Sequence, residues 1–244
     1  MRKDEQSLRV NLAAMYRVFD HLGWSELIFN HITVKIPGAD ESFLINPYGL
    51  HYNEVTASNL VKVDIEGNKL QDTDSPVNPA GMLIHSAIHE AREEVHCIAH
   101  IHSTEGMAVA CLQDGLRIDN FYSVLLHNQV AYHDFEGITV MPDEKERLVA
   151  NLGNKNYLIL RNHGLLVCGQ SIPETFLNMW VLQRACEVQV AADSCGGTIM
   201  PVDVAIGEKT DELLAMQMES RQQGVLEFAA MVRQIDRIDD SYKN

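Results

Sequence analysis

Two short apolar runs that end in histidine constrain this chain more than any other feature: Ile98-Ala99-His100-Ile101-His102-Ser103 and Leu158-Ile159-Leu160-Arg161-Asn162-His163-Gly164. Each run reads as a buried strand, with the histidine at or just past its end. Side chains alternate along a strand, so His100 and His102 project to the same face. Two imidazoles so placed suit one divalent metal. A third from a separate strand end makes a three-ligand set with one position open, which is the pattern of a catalytic rather than a structural centre. An H-x-H pair alone is common and makes no site. His163 adds weight because Asn162 and Gly164 flank it, where a sharp backbone turn re-aims its side chain.

The rest of the chain supplies a frame for such strand ends. Leu8, Leu12, Met15, Phe19 and Leu22 recur at helical spacing over 6–22, and Gly23 closes that helix. Strands are expected over 29–36, 42–45 and 60–65, with turns at Pro37-Gly38 and Asn46-Pro47-Tyr48-Gly49. A helix over 81–92 feeds a strand over 97–101, and another helix follows over 104–112. Pro142-Asp143 opens a helix to Leu152, strands follow over 157–160 and 165–168, and Pro173-Glu174 opens a long helix to about Ala192. A final amphipathic helix is expected from about Thr210 to Asp236. Some strands are hairpin-linked and others crossover-linked, which predicts a mixed, largely antiparallel sheet covered by helices. No glycine-rich phosphate fingerprint follows the first strand, so nucleotide binding has no support.

Charge narrows the partners. With 34 acidic against 19 basic residues and a net charge of -15, the chain lacks the basic patch that nucleic acid or an anionic membrane rewards. Its five cysteines form no C-x-x-C pair and sit mostly in apolar runs, which fits buried thiols in a reducing cytoplasm. Neither an apolar leader nor a run of about 20 apolar residues is present, so a cytoplasmic protein is expected. With 46% hydrophobic residues and no composition break, residues 1–244 are expected to form one domain.

Four segments taken in order resemble a known family: Asn30-His31-Ile32-Thr33-Val34-Lys35, Leu44-Ile45-Asn46-Pro47-Tyr48-Gly49, His100-Ile101-His102, and Leu160-Arg161-Asn162-His163-Gly164. The order and spacing are similar to those of the class II aldolase/adducin family over about residues 8–200, leaving 201–244 as a C-terminal helical extension. Asn78-Pro79-Ala80-Gly81-Met82, His85-Ser86-Ala87-Ile88 and Val130-Ala131-Tyr132-His133-Asp134 resemble the adducin-type branch. The resemblance implies a three-layer αβα fold and a homotetramer with sites near subunit interfaces. It implies a divalent metal, Zn2+ first and Mn2+, Co2+ or Fe2+ otherwise, held by His100, His102 and His163. It further implies substrate contacts from Asn30 and Gly49. Arg161, two residues before His163, suits either bidentate binding of a substrate carboxylate or a salt bridge that ties down the strand end.

The departures bear on function. Sugar-phosphate aldolases of the family carry a Ser-Ser-Glu stretch whose glutamate moves the proton; the aligned residues here are Pro79, Ala80 and Gly81. None of these side chains moves a proton or holds a phosphate. The early phosphate loop is replaced by Leu27, Ile28 and Phe29, an apolar stretch poorly suited to a dianion. Glu105, Tyr122 and Tyr132 are the remaining candidates for proton transfer, and His133 is a further one. Each also has an ordinary structural reading, Glu105 as an acid at a helix N-terminus and the tyrosines as core or interface. His85 and His89 stand four apart without the glutamate of a zinc-protease motif and read as satisfied core residues. The expectation is a metal-dependent lyase that cleaves a carbon–carbon bond of a small, non-phosphorylated carbonyl or carboxylate, by aldol cleavage or decarboxylation. The alternatives are a non-catalytic adducin-like oligomeric binding module and a purely structural metal at an oligomer interface.

Overall fold

The computed structural model describes residues 3–38, 41–137, 143–218 and 223–244. Helix α1 (Lys3–His21) leads into a sheet built from β1 (His31–Ile36), β2 (Ser42–Ile45), β3 (Val61–Asp64), β4 (Cys97–Ile101), β5 (Val130–His133), β6 (Tyr157–Leu160) and β7 (Gly164–Gly169). The spatial order is β3-β2-β1-β4-β7-β6-β5. Every neighbouring pair is antiparallel except β5 with β6, so the sheet is mixed and largely antiparallel, as expected. The remaining helices are α2 (Pro79–Ala91), α3 (Thr104–Ala110), α4 (Phe121–Val124), α5 (Glu144–Leu152), α6 (Ile172–Ser194), α7 (Val204–Met218) and α8 (Val225–Ile235).

Alternation along the central strands divides the core in two. On β4, Cys97, Ala99 and Ile101 join the apolar cluster that α1, α3, α6 and α8 cover. Ile98 points the other way, with Leu158 and Leu166, against Ile84 and Ile88 of α2 and Leu148 and Leu152 of α5. The result is helix, sheet and helix, with apolar surface removed from water on both sheet faces. His100 has the parity of Ile98 and so lies on the α2 face. Because β4 sits between β1 and β7, His100 faces His31 across one ladder, and the β6–β7 turn lies beside the other.

One element was not expected and one expectation is corrected. The residues over 130–133, for which no strand was expected, form β5. The single C-terminal helix is two, α7 and α8. Gly224 ahead of α8 adopts φ +75°, and a side chain there would run into the Pro173 carbonyl at the start of α6. Pro142 lies outside the described residues; the helix after it starts at Glu144. No described helix is long and apolar enough to cross a membrane.

Candidate metal centre

The three histidines singled out by spacing converge. The possible ligand nitrogens of His100, His102 and His163 all lie within 4.8 Å of one another. His100 Nε2 is 2.8 Å from His102 Nε2 and 3.3 Å from His163 Nε2. The partners of the opposite ring nitrogens fix what those atoms carry. His100 Nδ1 lies 2.9 Å from the Leu165 carbonyl, which only accepts, so Nδ1 holds the proton. His102 Nδ1 likewise donates to Glu26 Oε2 at 2.8 Å. In the neutral rings both Nε2 atoms are therefore bare lone pairs aimed at each other, an arrangement that a shared cation relieves. A carbonyl or carboxylate behind each imidazole is the usual support of a metal-binding histidine. The donor set suits a divalent ion of the zinc type. Burial, and then the other histidines, hold His100 well below the ordinary histidine range. Burial, then His102 and His133, push His163 down to about 4. Near neutral pH these two ligands need shed no proton to bind a metal.

Local backbone choices aim the rings. The Ser103 side chain accepts from Gly106 N at 3.2 Å, capping α3 immediately after the strand, so the chain turns away just past His102. Asn30 Oδ1 accepts from His102 N at 3.2 Å, while Asn30 Nδ2 donates to the Trp24 carbonyl at 2.7 Å. Both ends of this buried amide are thus occupied by backbone. Between β6 and β7, Asn162 takes φ +57° and His163 N donates to the Leu160 carbonyl at 3.1 Å. Asn162 N also bonds the Ala110 carbonyl at 3.1 Å, tying the turn to the end of α3. At Gly164 a side chain would come within 2.5 Å of the Ile101 carbonyl, so glycine lets the two histidine-bearing strand ends meet.

A second histidine set lies behind the first. His31 stacks at 5.1 Å between ring centroids from His100. Its Nδ1 is 3.1 Å from His85 Nε2; His85 Nδ1 is 2.8 Å from Thr33 Oγ1; Thr33 Oγ1 is 2.9 Å from His89 Nε2; and His89 Nδ1 is 3.1 Å from the Val95 carbonyl. His85 and His89 are thus satisfied core residues, bonded to β1. Burial pushes His31 and His89 down to about 3 and keeps His85 well below the usual range. Gly81 makes room for this line: a side chain there would lie 2.5 Å from His31 Cδ2 and 2.7 Å from its Nε2.

The remaining candidates are spread out. Glu105 accepts from Gln183 Nε2 at 3.3 Å on α6. Tyr122 is half-buried on α4, with the Arg184 guanidinium 5.8 Å from its ring centre. The Tyr132 hydroxyl accepts from Leu116 N at 3.0 Å, and burial raises it above the usual phenol range. The Arg161 guanidinium stacks 4.2 Å from the Tyr132 ring centre and donates to the Leu112 carbonyl at 2.7 Å. Gly49 occupies a turn at φ +106°, with open space where a side chain would stand. His163 and Arg161 share a shallow depression with buried His133, whose Nε2 is 3.4 Å from Glu144 Oε1. Glu26 and His31, which bond and pack against the cluster, are the neighbours that spacing did not single out.

The chain belongs to the class II aldolase/adducin family. The family described as Class II Aldolase and Adducin N-terminal domain matches residues 10–190. A provisionally named class 2 aldolase protein of Pseudomonas aeruginosa is 46% identical over 241 residues, covering 98% of this chain and 93% of its own. Alpha-adducin of Rattus norvegicus is 46% identical over 198 residues, 80% of this chain but only 27% of that protein. Among solved structures, an aldolase II superfamily protein from Pseudomonas syringae superposes with a TM-score of 0.93 at 38% identity, covering 100% of this chain and 98% of the other. The L-fuculose 1-phosphate aldolase of Glaciozyma antarctica PI12 does so at 0.85 and 30% identity, covering 98% and 93%.

Proposed function

We propose that this protein is a divalent-metal-dependent lyase that cleaves a carbon–carbon bond in a small, non-phosphorylated carbonyl or carboxylate substrate. The observation that carries the reading is the facing pair of bare Nε2 atoms on His100 and His102, closed by His163 and supported from behind by Leu165 and Glu26. A zinc-type ion held there would polarise a substrate oxygen and stabilise the negative charge that develops as the bond breaks. His100, His102 and His163 fix the ion's position, and Glu26 orients His102. Arg161, beside His163 in the shallow depression, offers a guanidinium to a substrate carboxylate. The absence of phosphate from the substrate follows from the loop over 27–30. There the exposed Leu27 and Phe29 replace small polar residues, and both ends of the Asn30 side chain are engaged by backbone.

This reading departs from the pattern expected of the family's sugar-phosphate aldolases, because Gly81 supplies no carboxylate at the head of α2. The proton mover is then one of Glu105, Tyr132 or Tyr122. Tyr122 would serve a neighbouring copy in a homotetramer, since α4 presents Phe121 at 73% exposure. Decarboxylation and aldol cleavage share the same demand, an electron sink beside the reacting carbon. The second reading, a non-catalytic oligomeric binding module, draws on the identity with alpha-adducin over 198 residues.

The deciding experiment measures bound metal in protein purified without added metal, beside His163→Ala, while oligomer size is followed. One metal per chain, lost in the variant with size unchanged, supports the lyase and justifies a screen of hydroxy-keto acids and aromatic carboxylates. No metal after reconstitution, or no turnover across the screen, favours the binding module.

A further inference from the structure

The buried line behind the metal centre has a direction. Its far end is the Val95 carbonyl, which can only accept, so His89 Nδ1 carries a proton and a neutral His89 has a bare Nε2. Thr33 has one hydroxyl proton and gives it to that nitrogen at 2.9 Å. Thr33 Oγ1 must then accept from His85 Nδ1–H at 2.8 Å, which leaves His85 Nε2 bare. That atom accepts from His31 Nδ1–H at 3.1 Å. Among the described residues no acidic side chain bonds to any ring of the line, and all three rings are buried, so each is neutral. The ordering comes out at His31 Nε2, which has no hydrogen-bond partner among the described residues and must be an unprotonated acceptor.

That atom borders the metal centre. His31 pairs with His100 in the β1–β4 ladder and packs against its ring. The Cδ2–Nε2 edge of His31 lies against Gly81, where any side chain would displace it. We infer that His31 Nε2 is a specificity-determining acceptor that selects a substrate hydroxyl, rather than a second anionic oxygen, beside the three-histidine cluster. A neutral, acceptor-only atom left without a hydrogen-bond partner rewards an O–H and repels a carboxylate or phosphate oxygen. The inference rests on the lyase reading and narrows its substrate class to hydroxy acids and hydroxy ketones. The role is a choice of hydrogen-bond direction and requires no protonation of His31.

The test has two parts, both on zinc-loaded full chain. In 15N-histidine-labelled protein at neutral pH, long-range proton–nitrogen correlations give each ring's tautomer, with His31 assigned by its loss in His31→Gln. The expected result is the Nδ1–H form of His31, and an Nε2–H form overturns the inference. Binding of glycolate is then compared with methoxyacetate, which keeps the carboxylate and the ether oxygen but lacks the O–H. Wild type should prefer glycolate by about fivefold to tenfold, the range of one net hydrogen bond. His31→Gln, which retains an acceptor, should keep the preference, and His31→Phe should lose it. Equal binding of the two probes by wild type overturns the acceptor role and leaves the lyase reading standing. Binding of neither overturns the inference, and the zinc content of the same sample decides the lyase reading separately: one zinc per chain leaves it standing, and none overturns it.

Discussion

Two sets of three histidines share one face of one sheet and behave in opposite ways. In the rim set, His100 and His102 spend their Nδ1 protons on outside acceptors, Leu165 and Glu26, so their Nε2 lone pairs converge with His163 on one point. In the buried set, His31, His85 and His89 spend theirs on one another through Thr33, so the bonds run in series to Val95. The side chain is the same and so is the sheet face. What differs is where the second ring nitrogen sends its proton. A convergent set calls for a cation, whereas a serial set satisfies all its ring nitrogens except the terminal His31 Nε2 and stiffens the core.

The sharpest way to break this contrast is to delete a rim ligand. His163→Ala should reduce bound metal from one per chain to none, by elemental analysis, and abolish any lyase turnover, while urea unfolding of the metal-free forms changes little. A serial member should show the reverse. Thr33→Val strands the His85 donor and the His89 acceptor together, so stability should fall by about 2–4 kcal/mol in urea with metal stoichiometry unchanged. Loss of metal in Thr33→Val would show that the two sets are one unit.

The support behind the rim predicts a smaller effect. Glu26→Ala should weaken metal affinity about tenfold to a hundredfold in competition with a chelator, since the carboxylate orients the His102 ring. The smallest effect concerns pH. Buried His31 and His89 are pushed down to about 3, whereas an unfolded histidine titrates near 6.5, so from about pH 6.5 down towards 3 the unfolded chain binds more protons. Stability of chelator-treated protein should therefore be full above pH 6.5 and fall as pH drops. His89→Gln should flatten that slope by up to about 1.4 kcal/mol per pH unit, measured by urea unfolding at stepped pH.

The frame and the rim were largely legible in the chain itself. Strands 42–45, 97–101 and 157–160 stand where their apolar runs put them, and the shared parity of His100 and His102 followed from strand geometry. The turn at Asn162 was signalled by its flanking residues and adopts φ +57°. The rest depends on contacts that no local pattern encodes. Glu26 reaches His102 from 76 residues away, out of a bend in which Leu27 takes φ +43°. Gly81 reads as a weak helix residue until the His31 ring is seen lying against it. The break before α8 looked like uninterrupted amphipathic periodicity because Gly224 is confined by Pro173 on another helix.

The attachment of the His163 turn to the end of α3 has a practical consequence for observation. Cys111 follows Ala110, whose carbonyl holds Asn162 N, and it is exposed, as is Cys195 at the far end of α6. The other three thiols are buried and pushed up to about 12 by that burial, which makes them slow to react. With Cys195→Ser in place, a fluorophore would enter at Cys111 alone, one backbone hydrogen bond from the loop that carries the third ligand. Its emission would follow the filling of the centre in real time, without any substrate present.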